Sequence, residues 1–293
     1  MDRVGVVAPA VDSSGLASAA TDPALRLDDV RVVYAGRRRG RSDVTALDGV
    51  SLRVDVGESV AVIGRSAAGK STIARLAVGL ARPTTGSVEL LGQSTDEGSQ
   101  RERRRLRRRV QMVFQDPYES LHPGMTVAGL VGEPLAISGM GRRERTDRVA
   151  EALQQMGLVP AQRYLSRHAA TLSGGQRQRV ALARTLVAEP ELIVADEPAS
   201  MLDASLRAAV AAHLLAVREA LGATLVFITH DISLARLVAD RIVVLCDGRV
   251  VEDGPAAELV ASPSHDETRT LLDAATLSAS LSARASVIDK GAT

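Results

Sequence analysis

The chain has 293 residues, 45% of them hydrophobic, and 36 basic against 35 acidic side chains leave a net charge of +1. That balance speaks against a chain whose main work is coating nucleic acid, and aromatics at 2% with no Trp leave little to stack on single strands. No run of 18 apolar residues offers a membrane span, and Cys246, the one cysteine, supports neither an internal disulfide nor a thiolate zinc cluster and fits a reducing compartment.

Residues 1–24 are Ala, Ser, Gly and Asp rich without a helical stripe, and read as a disordered leader. Asp2, Pro9, Asp12 and Pro23 interrupt any secretory apolar stretch. Alternation predicts strands at Leu25 to Tyr34 and Val50 to Val56, and the short apolar run Ser59 to Ile63 predicts a third. A Gly-bounded loop then opens a helix from about Lys70 to Gly79, and Ser87 to Leu91 returns as a strand. The run 101–109, RERRRLRRR, reads as a helix with a solvated charged face rather than a polyanion patch, since no aromatics interleave. Val110 to Phe114 reads as a strand, and Pro123 to about Glu189 as mostly helical. Leu192 to Ala195 and Thr224 to Thr229 are buried strands, and Asp247-Gly248 joins Arg241 to Cys246 with Arg249 to Glu252 as a hairpin. Cys246 itself is expected to be a core residue, and residues 276–293 a tail. Strands alternating with helices imply an α/β fold with a mostly parallel sheet covered on both faces, interrupted by an inserted helical segment.

Three motifs carry chemistry. Gly64-Arg65-Ser66-Ala67-Ala68-Gly69-Lys70-Ser71, with Thr72 next, fits G-x-x-x-x-G-K-[ST] between a strand and a helix. Backbone N–H groups of such a loop converge on phosphate oxygens. The lysine reaches the β- and γ-phosphates and the serine hydroxyl binds magnesium. Lysine is rare in this chain, with Lys290 the other instance, so Lys70 is hard to ascribe to chance. The strand Leu192 to Ala195 runs into Asp196-Glu197, placing two carboxylates at the carboxyl edge of a parallel sheet. One can hold magnesium; the next, pointing the other way by strand alternation, can polarise an attacking water. Leu172-Ser173-Gly174-Gly175-Gln176-Arg177-Gln178-Arg179 is a second Gly-rich helix start and so a second anion site.

With these motifs in this order, residues 25–260 resemble the ATP-binding subunits of ABC transporters. The resemblance implies a P-loop NTPase (RecA-like) fold: a mostly parallel sheet, an antiparallel β-subdomain and an inserted helical subdomain at about 116–178, followed by an extension and tail at 261–293. It implies ATP and Mg2+ as cofactors, and a nucleotide held between the phosphate loop of one subunit and Ser173, Gly174, Gly175 and Gln176 of its partner. Tyr34 is similar to the aromatic that stacks on adenine, and Gln115 to the glutamine that senses magnesium and the membrane partner. Asp196 matches the magnesium carboxylate and Glu197 the general base. Ser200-Met201-Leu202-Asp203 is similar to the loop that bridges the two sites, and His230 matches the histidine that contacts the γ-phosphate. The implied partners are a second ATPase chain, transmembrane permease subunits and, indirectly, a solute-binding protein. No nucleic acid is among them, and the implied place is the cytoplasmic face of the membrane.

Two departures stand out. Ala67 and Ala68 occupy positions where the family commonly has Gly and Ser, and alanine disfavours the positive φ that glycine allows. Binding is expected to survive this. Phe114 to Pro123 with Met125-Thr126-Val127 resembles the dipeptide, oligopeptide and nickel importers, though His122 stands where Asn is usual. His265 and Thr268-Arg269-Thr270-Leu271-Leu272 echo the C-terminal element of that branch, with Asp266-Glu267 in place of Pro-Tyr. The reading is therefore an ATPase powering uptake of a small solute such as a peptide or nickel. The alternative is a non-transport ATPase of the family, for instance one serving phosphonate metabolism; a binding-only switch, suggested by Ala67 and Ala68, is opposed by Glu197.

Overall fold

The computed structural model describes residues 22–36, 42–114, 121–198, 200 and 204–276. The leader up to residue 21, Gln115 and the stretch to Ser120, Met201, Leu202 and Asp203, and the tail from 277 lie outside the described residues.

Two sheets form the frame. The strands β1 (Leu25–Tyr34), β2 (Val44–Val54), β4 (Thr85–Leu90) and β5 (Gln93–Ser94) make an antiparallel sheet in the order β2-β1-β4-β5. The second sheet contains β3 (Ser59–Ile63), β6 (Val110–Val113), β7 (Leu192–Asp196), β8 (Thr224–Thr229), β9 (Arg241–Cys246) and β10 (Arg249–Pro255), ordered β10-β9-β3-β8-β7-β6. It is parallel except for the β9–β10 hairpin. This is the P-loop NTPase arrangement expected, with three differences of detail. β2 begins at Val44, six residues before the predicted start: its first half lacks a regular apolar alternation, pairs with β1 and buries Leu47. β5 is a two-residue strand with no apolar alternation to announce it. β10 runs to Pro255, past the predicted Glu252.

The helices are α1 (Lys70–Ala77), α2 (Gln100–Arg109), α3 (Val127–Ile137), α4 (Arg142–Gln155), α5 (Gln162–Leu165), α6 (Gly174–Leu186), α7 (Ala204–Leu221), α8 (Ile232–Val238), α9 (Ala256–Ala261) and α10 (266–276), with a 3-10 turn at Ala169–Thr171. Strand β3 and strands β7 and β8 are buried throughout, and side-chain alternation splits each between two cores. On one face Val60, Val62, Leu192, Val194, Val226 and Ile228 pack with Ile73 and Leu76 of α1 and with the antiparallel sheet. On the other, Ile193, Ala195, Leu225 and Phe227 pack with α3, α4, α6 and α7. Ala61 and Ile63 turn instead to α8 and α9.

Helix α2 begins with a capping box between Ser99 and Glu102 and ends in Arg107, Arg108 and Arg109, favourable signs for a helix dipole. Only Leu106 is buried along it, while Arg109 Nη2 donates to Glu191 at 2.7 Å and Arg108 Nη2 to Ile137 O at 3.0 Å. The segment after β10 is fastened by Glu252. Its carboxylate accepts from Ser264 N at 2.8 Å, from His265 N at 3.1 Å and from Thr268 Oγ1. Partial burial opposes ionisation there, but these donors outweigh it and hold the carboxyl at about 2. The C-terminal echo in the sequence is thus a docked helix.

Candidate active site

The site grows from the carboxyl edge of the parallel sheet, where β3, β7 and β8 end side by side. β3 delivers the chain into Gly64 at φ 154, where a Cβ would lie 2.2 Å from Leu245 O. At Gly69, φ 104, a Cβ would lie 2.5 Å from Ala46 O and 2.7 Å from Leu47 Cδ2. Both glycines are therefore demanded by close backbone approach, not by the turn alone. The turn of the last hairpin backs the loop: Gly248 N donates to Ala68 O at 3.1 Å, and Asp48 N donates to Gly248 O at 2.9 Å.

Helix α1 starts at Lys70 with Gly69 as its cap residue and no side-chain cap, so its first N–H groups are left for an anion. Ala67 adopts φ 67, the left-handed conformation that a glycine would take freely. A Cβ there costs about 1 kcal/mol. Of the two alanines that depart from the family pattern, Ala67 is the one that meets a positive φ, and Ala68 is buried.

Lys70 is 6% exposed. Its Nζ donates to Gly64 O at 2.7 Å and Arg65 O at 2.9 Å, and lies 3.8 Å from Glu197 Oε1. Burial lowers its pKa, while the carboxylates of Glu197 and Asp196 push the other way. Asp196, the last residue of β7, is 9% exposed and accepts from Ser71 Oγ at 3.4 Å. Burial raises its pKa, opposed by the Ser71 bond. A hydroxyl and a carboxylate at neighbouring tips are hard oxygen donors, the set a small divalent cation uses together with phosphate oxygens.

Glu197 departs from simple alternation. Its φ of 45 is left-handed, and Glu197 N donates to Ile228 O at 2.9 Å. The kink ends the strand and leaves both acids in electrostatic reach of Lys70, rather than on opposite faces as alternation predicts. Such a backbone costs about 1–3 kcal/mol and recurs at functional sites. Glu197 Oε2 lies 3.2 Å from His230 Nδ1. That bond holds the Glu197 carboxyl below its usual range and raises the His230 pKa. His230 ends the β8 edge just before Asp231, which caps α8 by accepting from Ser233 N at 3.0 Å and Leu234 N at 3.2 Å. Tyr34, 40% exposed, brings its hydroxyl to 3.5 Å from Thr72 Oγ1, beside the start of α1.

The structure thus gathers the 64–72 loop, Tyr34, Asp196, Glu197 and His230. Ser173 and Gln176 form a reciprocal capping box on α6: Ser173 Oγ accepts from Gln176 N at 3.3 Å and Gln176 Oε1 accepts from Ser173 N at 3.1 Å. Among the described residues no hydrogen bond or ion pair joins 173–176 to the loop at 64–71. Gln115 and Asp203 lie outside the described residues. The sequence reading passed over Gln178, whose buried amide donates to Pro198 O at 2.7 Å. Its place in the motif, three residues after Gly175, was the available signal. The Asp247-Gly248 turn, expected as a hairpin link, also backs the loop, a contact that its local sequence does not announce.

A family model described as "ABC transporter" matches residues 47–200. The chain belongs to the ABC transporter ATP-binding family. It is 42% identical over 243 residues to a di/tripeptide transport ATP-binding protein, DppF, of Pseudomonas aeruginosa, an alignment covering 83% of this chain and 75% of that one. It is 44% identical over 229 residues to a putative peptide import ATP-binding protein of Brucella ovis, covering 78% and 72%. Against the oligopeptide transport ATP-binding protein OppD of Mycobacterium tuberculosis it is 41% identical over 237 residues, 81% of this chain but 38% of that longer relative. Among solved structures, the ATP-binding cassette MJ0796, a dimer bound to ADP and Pi, superposes with TM-score 0.70 at 33% identity, covering 79% of this chain and 98% of that one. CbiO1 of Clostridium perfringens, part of an ABC transporter complex, superposes with TM-score 0.71 at 28% identity, covering 82% and 92%. As a member of this family the chain is an ATP-binding, ATP-hydrolysing subunit of an ABC transporter.

Proposed function

We propose that the chain powers peptide uptake, hydrolysing ATP at sites shared between two ATPase chains bound to membrane-spanning permeases. The observation that carries the chemistry is the convergence of Lys70, Ser71, Asp196, Glu197 and His230 at one sheet edge. Di- and tripeptide and peptide import in the names of the relatives support peptide over nickel as the solute, and transport over a non-transport role. The dimeric, nucleotide-bound neighbour supports the pairing. No helix of the described residues is long and apolar enough to cross a membrane. Attachment to the cytoplasmic face then falls to partner chains, with Gln115 near the contact.

Phosphate oxygens of ATP are bound by backbone N–H groups of the loop and of the first turn of α1, and by the Lys70 ammonium, which neutralises charge on the β- and γ-phosphates. Tyr34 offers its exposed ring to the adenine. Magnesium, held by Ser71 and Asp196 with Gln115, supplies further neutralisation when bound. Glu197, kept ionised by His230, orients a water for in-line attack and accepts its proton. His230, its pKa raised by the same contact, presents its ring to the γ-phosphate. Ser173, Gly174, Gly175 and Gln176 of the second chain close the site, with Asp203 bridging the pair.

Glu197→Gln keeps size and removes the acceptor of the proton. Its ATPase rate is expected to fall about a hundredfold or more with ATP binding retained; a rate equal to the parent's rejects the role of Glu197.

A further inference from the structure

We propose that Gln178 is a positioning residue that links the second anion site of the chain to the carboxylate serving the first. Gln178 lies in the second turn of α6, four residues after Gly174, at 3% exposure. A primary amide buried this deeply must find partners, and Gln178 Nε2 donates to Pro198 O at 2.7 Å. Pro198 has no N–H to give the loop an alternative anchor, and it directly follows Glu197, whose left-handed backbone aims its carboxylate at His230 and Lys70. One more bond tightens this kink: Ser200 N donates to Glu197 O at 3.2 Å. The amide of Gln178 therefore joins the helix whose N-terminus carries Ser173, Gly174 and Gly175 to the backbone that aims Glu197. A rigid helix moves as a unit, so a shift at its N-terminus is passed through this bond to the carbonyl beside Glu197.

The consequence rests on the paired-chain reading above. There, Ser173 to Gly175 meet the nucleotide of one site while Glu197 of the same chain acts on the other. Gln178 then carries occupancy of one site to the base of its neighbour, and cooperativity in ATP arises from it.

The experiment measures ATPase rate against ATP concentration for the purified full chain and for Gln178→Met, which keeps the volume and loses the donor. Gln178→Leu serves as a second variant, with thermal midpoints recorded for all three. The expected result is a fall in kcat of about tenfold with KM within about twofold, a Hill coefficient moving toward one, and a near-parental thermal midpoint. Parental kcat and Hill coefficient in both variants overturn the proposal. So does a fall in kcat matched by loss of folded protein, which is what a merely structural role gives. ATP-dependent dimerisation of Glu197→Gln, followed by size, separates the two readings. A monomer with ATP overturns the paired reading and this inference with it; a dimer combined with parental behaviour of the Gln178 variants overturns this inference alone.

Discussion

Two Gly-rich helix starts in this chain face opposite ways in their chemistry. At α1 the cap residue is Gly69, with no side-chain cap, and the Lys70 ammonium sits beneath the loop beside two carboxylates. At α6 the cap is Ser173, locked to Gln176 in a reciprocal box, and among the described residues no lysine or carboxylate pair is bonded to it. The first start leaves its N–H groups and a buried cation for an anion. The second has satisfied part of its own donors, so it can add to a site but does not make one alone. Both present the positive end of a helix dipole, but only the first carries the charge and the acid groups that phosphoryl transfer needs.

The largest expected effect breaks the first start. Lys70→Ala removes the cation, and ATP turnover is expected to fall by at least about a hundredfold; unchanged turnover in a coupled phosphate-release assay rejects the assignment. Gly64→Ala attacks the loop's geometry, since its Cβ would meet Leu245 O at 2.2 Å. A loss of about 3 kcal/mol in folding stability is expected, read by chemical denaturation, and a neutral result would show that the loop can move away from β9. Ser173→Ala tests the second start. Losing the cap costs about 1 kcal/mol, and if Ser173 acts only across a pair, ATP binding to the single chain stays at the parental level; a clear loss of that binding would merge the two sites into one. The smallest effect is at Ala67→Gly. Relief of the left-handed alanine, about 1 kcal/mol, is offset by the greater freedom of glycine in the unfolded chain. The thermal midpoint is expected to stay within about 2 °C of the parent, and a larger drop would show that the Ala67 methyl is packed.

Where the sequence was legible, the signal was local. Gly64 to Ser71, Asp196-Glu197 and Leu172 to Arg179 are contiguous, and each sets its own backbone geometry and donors. The buried strands β3, β7 and β8 announced themselves as short apolar runs. Legibility failed where a residue takes its role from a distant partner. The first half of β2, without a regular apolar alternation of its own, is a strand paired with β1. Arg109 in the basic run is fixed by Glu191, 82 residues away. Gln178 matters through a carbonyl 20 residues on, and Gly248 through Ala68.

By itself the sequence determined the phosphate loop, the paired acids and the sheet-plus-helical-insert plan, because glycine spacing, capping and apolar periodicity act within a few residues. Only the tertiary structure decided that Glu197 leaves strand alternation to face His230, that Lys70 is buried between the loop carbonyls and two acids, and that Gln178 bonds the carbonyl next to Glu197. Those outcomes depend on which backbones the packed core brings together, and no local preference encodes them.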